Sequence, residues 1–249
     1  MKPFAIFVLF LICRIASAQT AAELISQGDA LDAQLKTSEA LKIYLKAEAI
    51  TPDDSQLHIK IAKQYGESMV DAASAAEKRA LGEKALAHAK RAVALAPELG
   101  DAHLALAICY GRLMDLMGVK TKVEYSRLVK EHGDKAVALD PKSDYAWHML
   151  GRWHQAVCTT NKLLLGTVKI VYGGLPESSL DQAAKCFATA AALAPQRVAH
   201  WIELGRTYAL QGKTKEARET IERGLALPNT ERDDPDTKAR GEATLKALK

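Results

Sequence analysis

Several things are missing from this chain, and each absence removes a class of function. It has no Cys-x-x-Cys pair, no His-Glu-x-x-His, no glycine-rich phosphate loop and no Gly-x-Ser-x-Gly element, so the common metal, nucleotide and nucleophile signatures are absent. Aromatic residues are only 6%, and 34 basic residues stand against 30 acidic ones. A nucleic-acid surface needs a basic face or a stacking platform, and neither is indicated. The chain contains four cysteines. Three of them, Cys109, Cys158 and Cys186, lie beyond the first eighteen residues, and an odd number does not make a disulfide framework, although two can pair in an oxidising compartment. The longest apolar run, Phe4 to Ile12, is too short for a comfortable membrane span. Strand-like patterning is confined to one stretch, Val168 to Tyr172.

The apolar run has the layout of a leader. Lys2 gives a positive start, and Ala16-Ser17-Ala18 gives a small-residue cleavage site before Gln19. Ile12 sits before Cys13 where a lipoprotein signal has a small residue. The reading is a signal peptide over 1–18, export to the periplasm or medium, and no stable membrane span once the leader is removed. Losing Lys2 and Arg14 lowers the formal charge from +4 to +2, which gives no case for an anionic membrane surface.

What is present is a rhythm. Ala40-x3-Tyr44-x2-Ala47-x4-Pro52 is echoed by Ala85-x3-Ala89-x2-Ala92-x4-Pro97, by Val129-x3-Gly133-x2-Ala136-x4-Pro141 and by Ala183-x3-Phe187-x2-Ala190-x4-Pro195. A fifth copy, Ala217-x3-Ile221-x2-Gly224, meets Pro228 one residue early. Small residues three or four apart share a helix face and let a second helix approach. Proline then ends the phrase because it has no N–H to give. Six residues after each of the first four prolines stands His58, His103, Trp147 or Trp201. Three further on is Ile61, Leu106, Leu150 or Leu204, followed by Ala62, Ala107, Gly151 or Gly205, and then Tyr65, Tyr110, His154 or Tyr208. This is the tetratricopeptide pattern.

The fold expected is all-α: a right-handed α-solenoid of five tetratricopeptide-like helix pairs with a C-terminal capping helix. The units fall at about 20–54, 55–98, 99–142, 143–196 and 197–230, with the cap over 231–249. The interval between the two helices of a pair is 16 residues from Trp201 to Ala217, but 27 from His58 to Ala85, 26 from His103 to Val129 and 36 from Trp147 to Ala183. The added residues therefore gather on one edge of the stack. The first two additions are helical in composition. The third is an apolar segment, Leu163 to Tyr172, closed by Gly173-Gly174-Leu175-Pro176, with Ser178 or Ser179 available to cap the next helix.

In this design the first helix of each pair lines the concave wall. Two residues past each large aliphatic residue are Lys63, Ile108, Arg152 and Arg206, so Lys63, His148, Arg152 and Arg206 are the candidate groove residues. Arg152 and Arg206 project from adjacent units, and arginine forks suit a carboxylate or phosphate. The lysine and asparagine clamp of chaperone-tail-binding repeats is missing, because Ile59, Lys60 and Lys63, then Leu104, Ala105 and Ile108, fill those slots. His58 and His103 occupy the slot of Trp147 and Trp201 and read as packing residues. His148 and His154 are six apart rather than three or four, and no metal or other cofactor is expected. The apolar segment, with Leu164, Leu165, Val168, Val171 and Tyr172, is a candidate flap over the groove.

The central phrases carry a resemblance. His103-Leu-Ala-Leu-Ala-Ile-Cys109, Gly118-Val-Lys120-Thr-Lys122, Val129-Lys-Glu-His132, Lys135-Ala-Val-Ala-Leu-Asp-Pro-Lys142, His148-Met-Leu-Gly-Arg-Trp153 and Leu175-Pro-Glu-Ser-Ser179 resemble the regulator of microtubule dynamics family, over roughly Asp29 to Leu248. The resemblance implies a helical repeat domain of this design; no catalysis is expected, because the enzyme signatures are missing. It also implies a role at microtubules or organelle contacts, with a phospholipid-transferring domain in one branch, and it draws attention to Lys120, Lys122, Arg152 and Trp153. An exported chain meets no tubulin, so tubulin is a partner only without export. The partner expected is a protein or peptide held in the concave groove. The alternative is a phospholipid carrier in which Lys120, Lys122 or Arg152 holds the phosphate under the apolar flap.

Overall fold

The structure is a computed structural model that describes residues 19–248; the leader read from residues 1–18 lies outside them. The described residues form α1 (Ala21–Asp32), α2 (Thr37–Glu48), α3 (Ser55–Ser68), α4 (Ala75–Leu95), α5 (Gly100–Met114) and α6 (Val119–Leu139). They continue through α7 (Asp144–Thr159), α8 (Lys162–Tyr172), α9 (Leu180–Leu193), α10 (Val198–Leu210), α11 (Thr214–Leu225) and α12 (Asp234–Ala247). Helix starts are written in short polar side chains. Thr20 and Glu23 form a capping box on α1, and the side chains of Asp54, Ser74, Ser143, Asn161 and Ser179 accept backbone N–H groups at the starts of α3, α4, α7, α8 and α9. Each satisfies donors that the first helical turn leaves free.

The helices pack as α1 on α2, α3 on α4, α5 on α6, α7 on α9 and α10 on α11, with α12 laid over α10 and α11. The repeated small positions are the seams. Ala40, Ala89, Ala136, Ala183 and Ala217 are buried, and a Cβ on Gly151 would collide with the Phe187 ring. From α3 onward the first helices touch in succession, α3 with α5, α5 with α7 and α7 with α10, while successive second helices make no comparable contact among the described residues. The stack is therefore an α-solenoid whose inner wall is built from first helices.

The slot after each proline has a single purpose. His58 Nε2 lies 2.9 Å from the Pro52 carbonyl oxygen and His103 Nε2 2.8 Å from that of Pro97. Trp147 and Trp201 donate their indole N–H to Pro141 and Pro195 at 2.9 and 2.8 Å. Histidine and tryptophan exchange here because each presents a ring N–H at the same reach. A carbonyl can only accept, so both histidines carry their proton on Nε2.

The third addition is a correction. Val168 to Tyr172, strand-like in composition, lies inside α8. Local capping overrides β-propensity here: Asn161 Oδ1 accepts from Leu163 and Leu164, and Gly173, at φ +78°, ends the helix in the left-handed conformation.

Candidate functional site

The inner wall brings Arg152 and Arg206 together as the register requires, but onto a carboxylate of the chain itself. Arg152 extends from α7 to Glu203 on α10 at 3.1 Å. Arg206 donates to both oxygens of Glu203 at 2.9 and 2.7 Å, and Arg240 approaches from α12 at 3.5 Å. The Glu203 side chain is 1% exposed, whereas those of Arg152, Arg206 and Arg240 are 46, 30 and 41% exposed. Three guanidinium groups thus share one buried carboxylate, and the wall carries surplus positive charge. Beneath it, Gln155 donates to Thr207 Oγ1 at 3.0 Å, which fixes α7 on α10. Sequence reasoning missed Glu203, which reads as an ordinary helix glutamate, and Arg240, which lies beyond the repeat register.

The other candidate groove residues separate. Lys63 is on the same wall but pairs with Asp32 of α1 at 2.7 Å and with Glu67 at 3.8 Å. His148 is half-buried and engaged within the chain: its Nδ1 is 3.0 Å from Nδ1 of His200, and its ring packs edge-on to Phe187. Burial, His200 and the charges of Arg152, Arg240 and Arg197 hold His148 well below the ordinary histidine value, so it is neutral and serves packing. Lys120 and Lys122 are exposed in the first turn of α6. Lys122 pairs with Asp115 at 3.0 Å, whereas Arg152 pairs with Glu203.

Nor does the apolar segment roof the groove. Helix α8 packs on α6, a second helix, and Arg127 of α6 donates to the carbonyls of Tyr172 and Gly174. Val168 is buried and Leu165 joins the core, while Leu163, Leu164, Ile170 and Val171 face out. The phospholipid reading loses its lid, because an insertion between the helices of a pair starts from the far edge of the stack.

A cavity of about 580 Å³ opens beside Lys130 of α6, His154 of α7 and Cys186 of α9, on the side of the second helices. Cys109, Cys158 and Cys186 are free thiols. Burial pushes the Cys109 and Cys186 thiols up to about 12 and about 11, the reverse of an activated nucleophile.

Six histidines form three facing pairs, an arrangement that spacing within one helix does not reveal. Nδ1 meets Nδ1 at 3.0 Å between His58 and His88, at 2.9 Å between His103 and His132, and at 3.0 Å between His148 and His200. The first two pairs join the helices of one unit; the third joins α7 to α10. His58 and His103 are therefore hydrogen-bonded as well as packed; Glu48 faces the Nδ1 atoms of the first pair, whereas in the third pair Asp144 lies on the opposite ring nitrogen of His200, at 2.8 Å.

Comparison with known proteins agrees with the repeat architecture. A family model described as "Regulator of microtubule dynamics protein 1-3" matches residues 24–249. Regulator of microtubule dynamics protein 1 of Mus musculus is 27% identical over 215 residues, 85% of this chain and 70% of that protein. Regulator of microtubule dynamics protein 3 of Xenopus laevis is 24% identical over 84% of this chain but 45% of its own length. Among solved structures, TTC0263, a thermophilic TPR protein of Thermus thermophilus, superposes with a TM-score of 0.67 at 17% identity, covering 91% of this chain and all of that one. PilF of Pseudomonas aeruginosa superposes at 0.58 and 14% identity over 92% of this chain and 91% of its own. At these identities the two structures speak to fold alone.

Proposed function

The chain belongs to the regulator of microtubule dynamics family, and on that footing we propose that it is a non-catalytic helical-repeat scaffold that grips an acidic segment of a partner protein or peptide on its inner wall. The observation that carries this reading is the convergence of Arg152, Arg206 and Arg240 on the single carboxylate of Glu203. A lone ion pair neutralises itself. Here two guanidinium charges remain uncompensated and part-exposed, and a planar fork can turn its free N–H groups to an incoming carboxylate. The rigid frame lowers the cost of binding because Gln155, Thr207 and the α12 cap already hold the wall.

The relatives are named as regulators of microtubule dynamics, and tubulin is a partner of this wall only for a chain that stays in a compartment with it. We place the chain instead among exported proteins on its leader, which N-terminal sequencing of the mature protein tests by a start at Gln19. The test of the wall is crosslinking and capture from that compartment with wild type, with Arg152→Ala and with the Arg152→Ala/Arg206→Ala pair. The double variant should lose the main partner while retaining its helical circular dichroism. Undiminished capture would remove the arginine wall from the function.

A further inference from the structure

We propose that Glu48, His58 and His88 form a binding site for a divalent transition-metal ion of the zinc class, tying the first helix pair to the second. The site draws on three helices: Glu48 ends α2, His58 lies in the first two turns of α3 and His88 in α4. Their facing atoms form a compact triangle. Nδ1 of His58 is 3.0 Å from Nδ1 of His88, and one oxygen of Glu48 lies 3.5 and 3.4 Å from those nitrogens. A point equidistant from three atoms so spaced is about 1.9 Å from each, so an ion slightly out of their plane sits at the ~2.0–2.1 Å that zinc takes to imidazole and carboxylate.

The protonation pattern agrees. The Pro52 carbonyl takes the Nε2 proton of His58 and leaves its Nδ1 lone pair facing the triangle, where it accepts from His88 Nδ1 in the metal-free pair; an ion displaces that proton, which His88 can carry on Nε2 instead. A backbone carbonyl holding the second ring nitrogen is the usual outer support of a metal-bound histidine. Two neutral imidazoles and one carboxylate match the three-ligand sets of open zinc sites, which leave a fourth place for water. The side chains of His58, His88 and Glu48 are 6, 18 and 25% exposed, so an ion can enter from solvent without unfolding the repeat.

The molecule contains its own control. The His103–His132 pair has the same Nδ1-to-Nδ1 approach and the same proline carbonyl behind it, but Val93 occupies the position corresponding to Glu48. Two imidazoles without a carboxylate are an ordinary hydrogen-bonded pair; adding Glu48 is what distinguishes the first.

Titration of tag-free, chelator-treated protein with Zn²⁺ by calorimetry at neutral pH tests the site. One saturating equivalent is expected, with a rise in the thermal midpoint that chelator reverses. Glu48→Gln should weaken binding by roughly tenfold or more and His88→Ala should abolish it, while His132→Ala should bind like wild type. Glu48→Gln keeps the shape of a part-exposed side chain, so its result stands even if His88→Ala folds poorly. No saturable equivalent, equal binding by Glu48→Gln, or loss on His132→Ala would each overturn the proposal.

Discussion

Arg232 donates two hydrogen bonds to Asp71, at 2.6 and 2.7 Å, across 161 positions of sequence. It also reaches Thr37 at 3.5 Å, and its neighbour Glu231 pairs with Arg197 at the start of α10. The polar segment between α11 and α12 thus joins the last helix pair to the first two. Both partners are largely wet, at 34 and 66% side-chain exposure, so the link is a weak clasp rather than a source of stability. Arg232→Ala and Asp71→Ala should each cost no more than about 1 kcal/mol, with a coupling of about 0.5 kcal/mol in a double-mutant cycle. Hydrogen exchange should quicken in residues 229–234 and at the start of α2. Unchanged exchange in both regions would show that the clasp does not close in solution.

Replacing glycine separates seams from surfaces. A Cβ on Gly205 would lie 2.5 Å from Ile221 Cγ1 and 3.0 Å from the Ala217 carbonyl oxygen, and backbone cannot yield. Gly205→Ala should cost about 1–3 kcal/mol in urea unfolding. Gly166, in exposed α8, meets nothing within 4 Å, so Gly166→Ala should stabilise that helix by about 0.5–1 kcal/mol. The reverse ranking would contradict the packing.

The two kinds of indole N–H bond should differ in worth. Trp147 donates to Pro141 near solvent. Trp153 is 4% exposed and donates to the Ser126 carbonyl and hydroxyl at 2.8 and 3.1 Å. Trp147→Phe should lose about 0.5–1.5 kcal/mol. Trp153→Phe should lose more, because its change removes two buried hydrogen bonds, leaves the Ser126 hydroxyl without that donor and opens space. Equal losses by chemical denaturation would show that burial does not set the difference.

Acid should loosen the fold through its histidines. His148 is held well below 6.5, and His88, His132 and His154 are lowered too, burial being the first cause in each. The unfolded chain, titrating near 6.5, then binds more protons than the folded one, so stability is full above that value and falls as pH drops through it. Calorimetry should show the melting temperature declining from pH 7 toward pH 5. A flat profile would mean these rings charge without loss of packing.

Thiol chemistry should be selective. Cys158 is exposed, whereas Cys109 and Cys186 are buried with raised thiol values. Peptide mapping after brief alkylation of native protein should find Cys158 labelled and the other two protected until denaturant is added. Prompt labelling of Cys109 would imply that α5 opens.

Much of this architecture is legible along the chain, because a repeat writes the same contact several times. Ala40 to Pro52 and its echoes mark the seams, and the intervals from His58, His103 and Trp147 locate the enlarged turns. The register also places Arg152 and Arg206 on one wall. It does not show that Glu203 holds both, since Glu203 is one turn from Arg206 in sequence but 51 positions from Arg152. The pairing of His148 is hidden for a related reason. Its position in α7 points inward, but its contact with His200, 52 positions away, depends on how α10 packs on α7.

Sequence alone determined the helix pairs, their order and the small residues that let them touch, because local propensity, capping and a fixed period act within a few residues of chain. Tertiary structure alone decided where α8 lies, which arginines share a carboxylate, and that Glu48, His58 and His88 face one another. Those relations join residues far apart in the chain, and a contact between distant residues is fixed by the curvature of the whole stack, which no single phrase of the repeat contains.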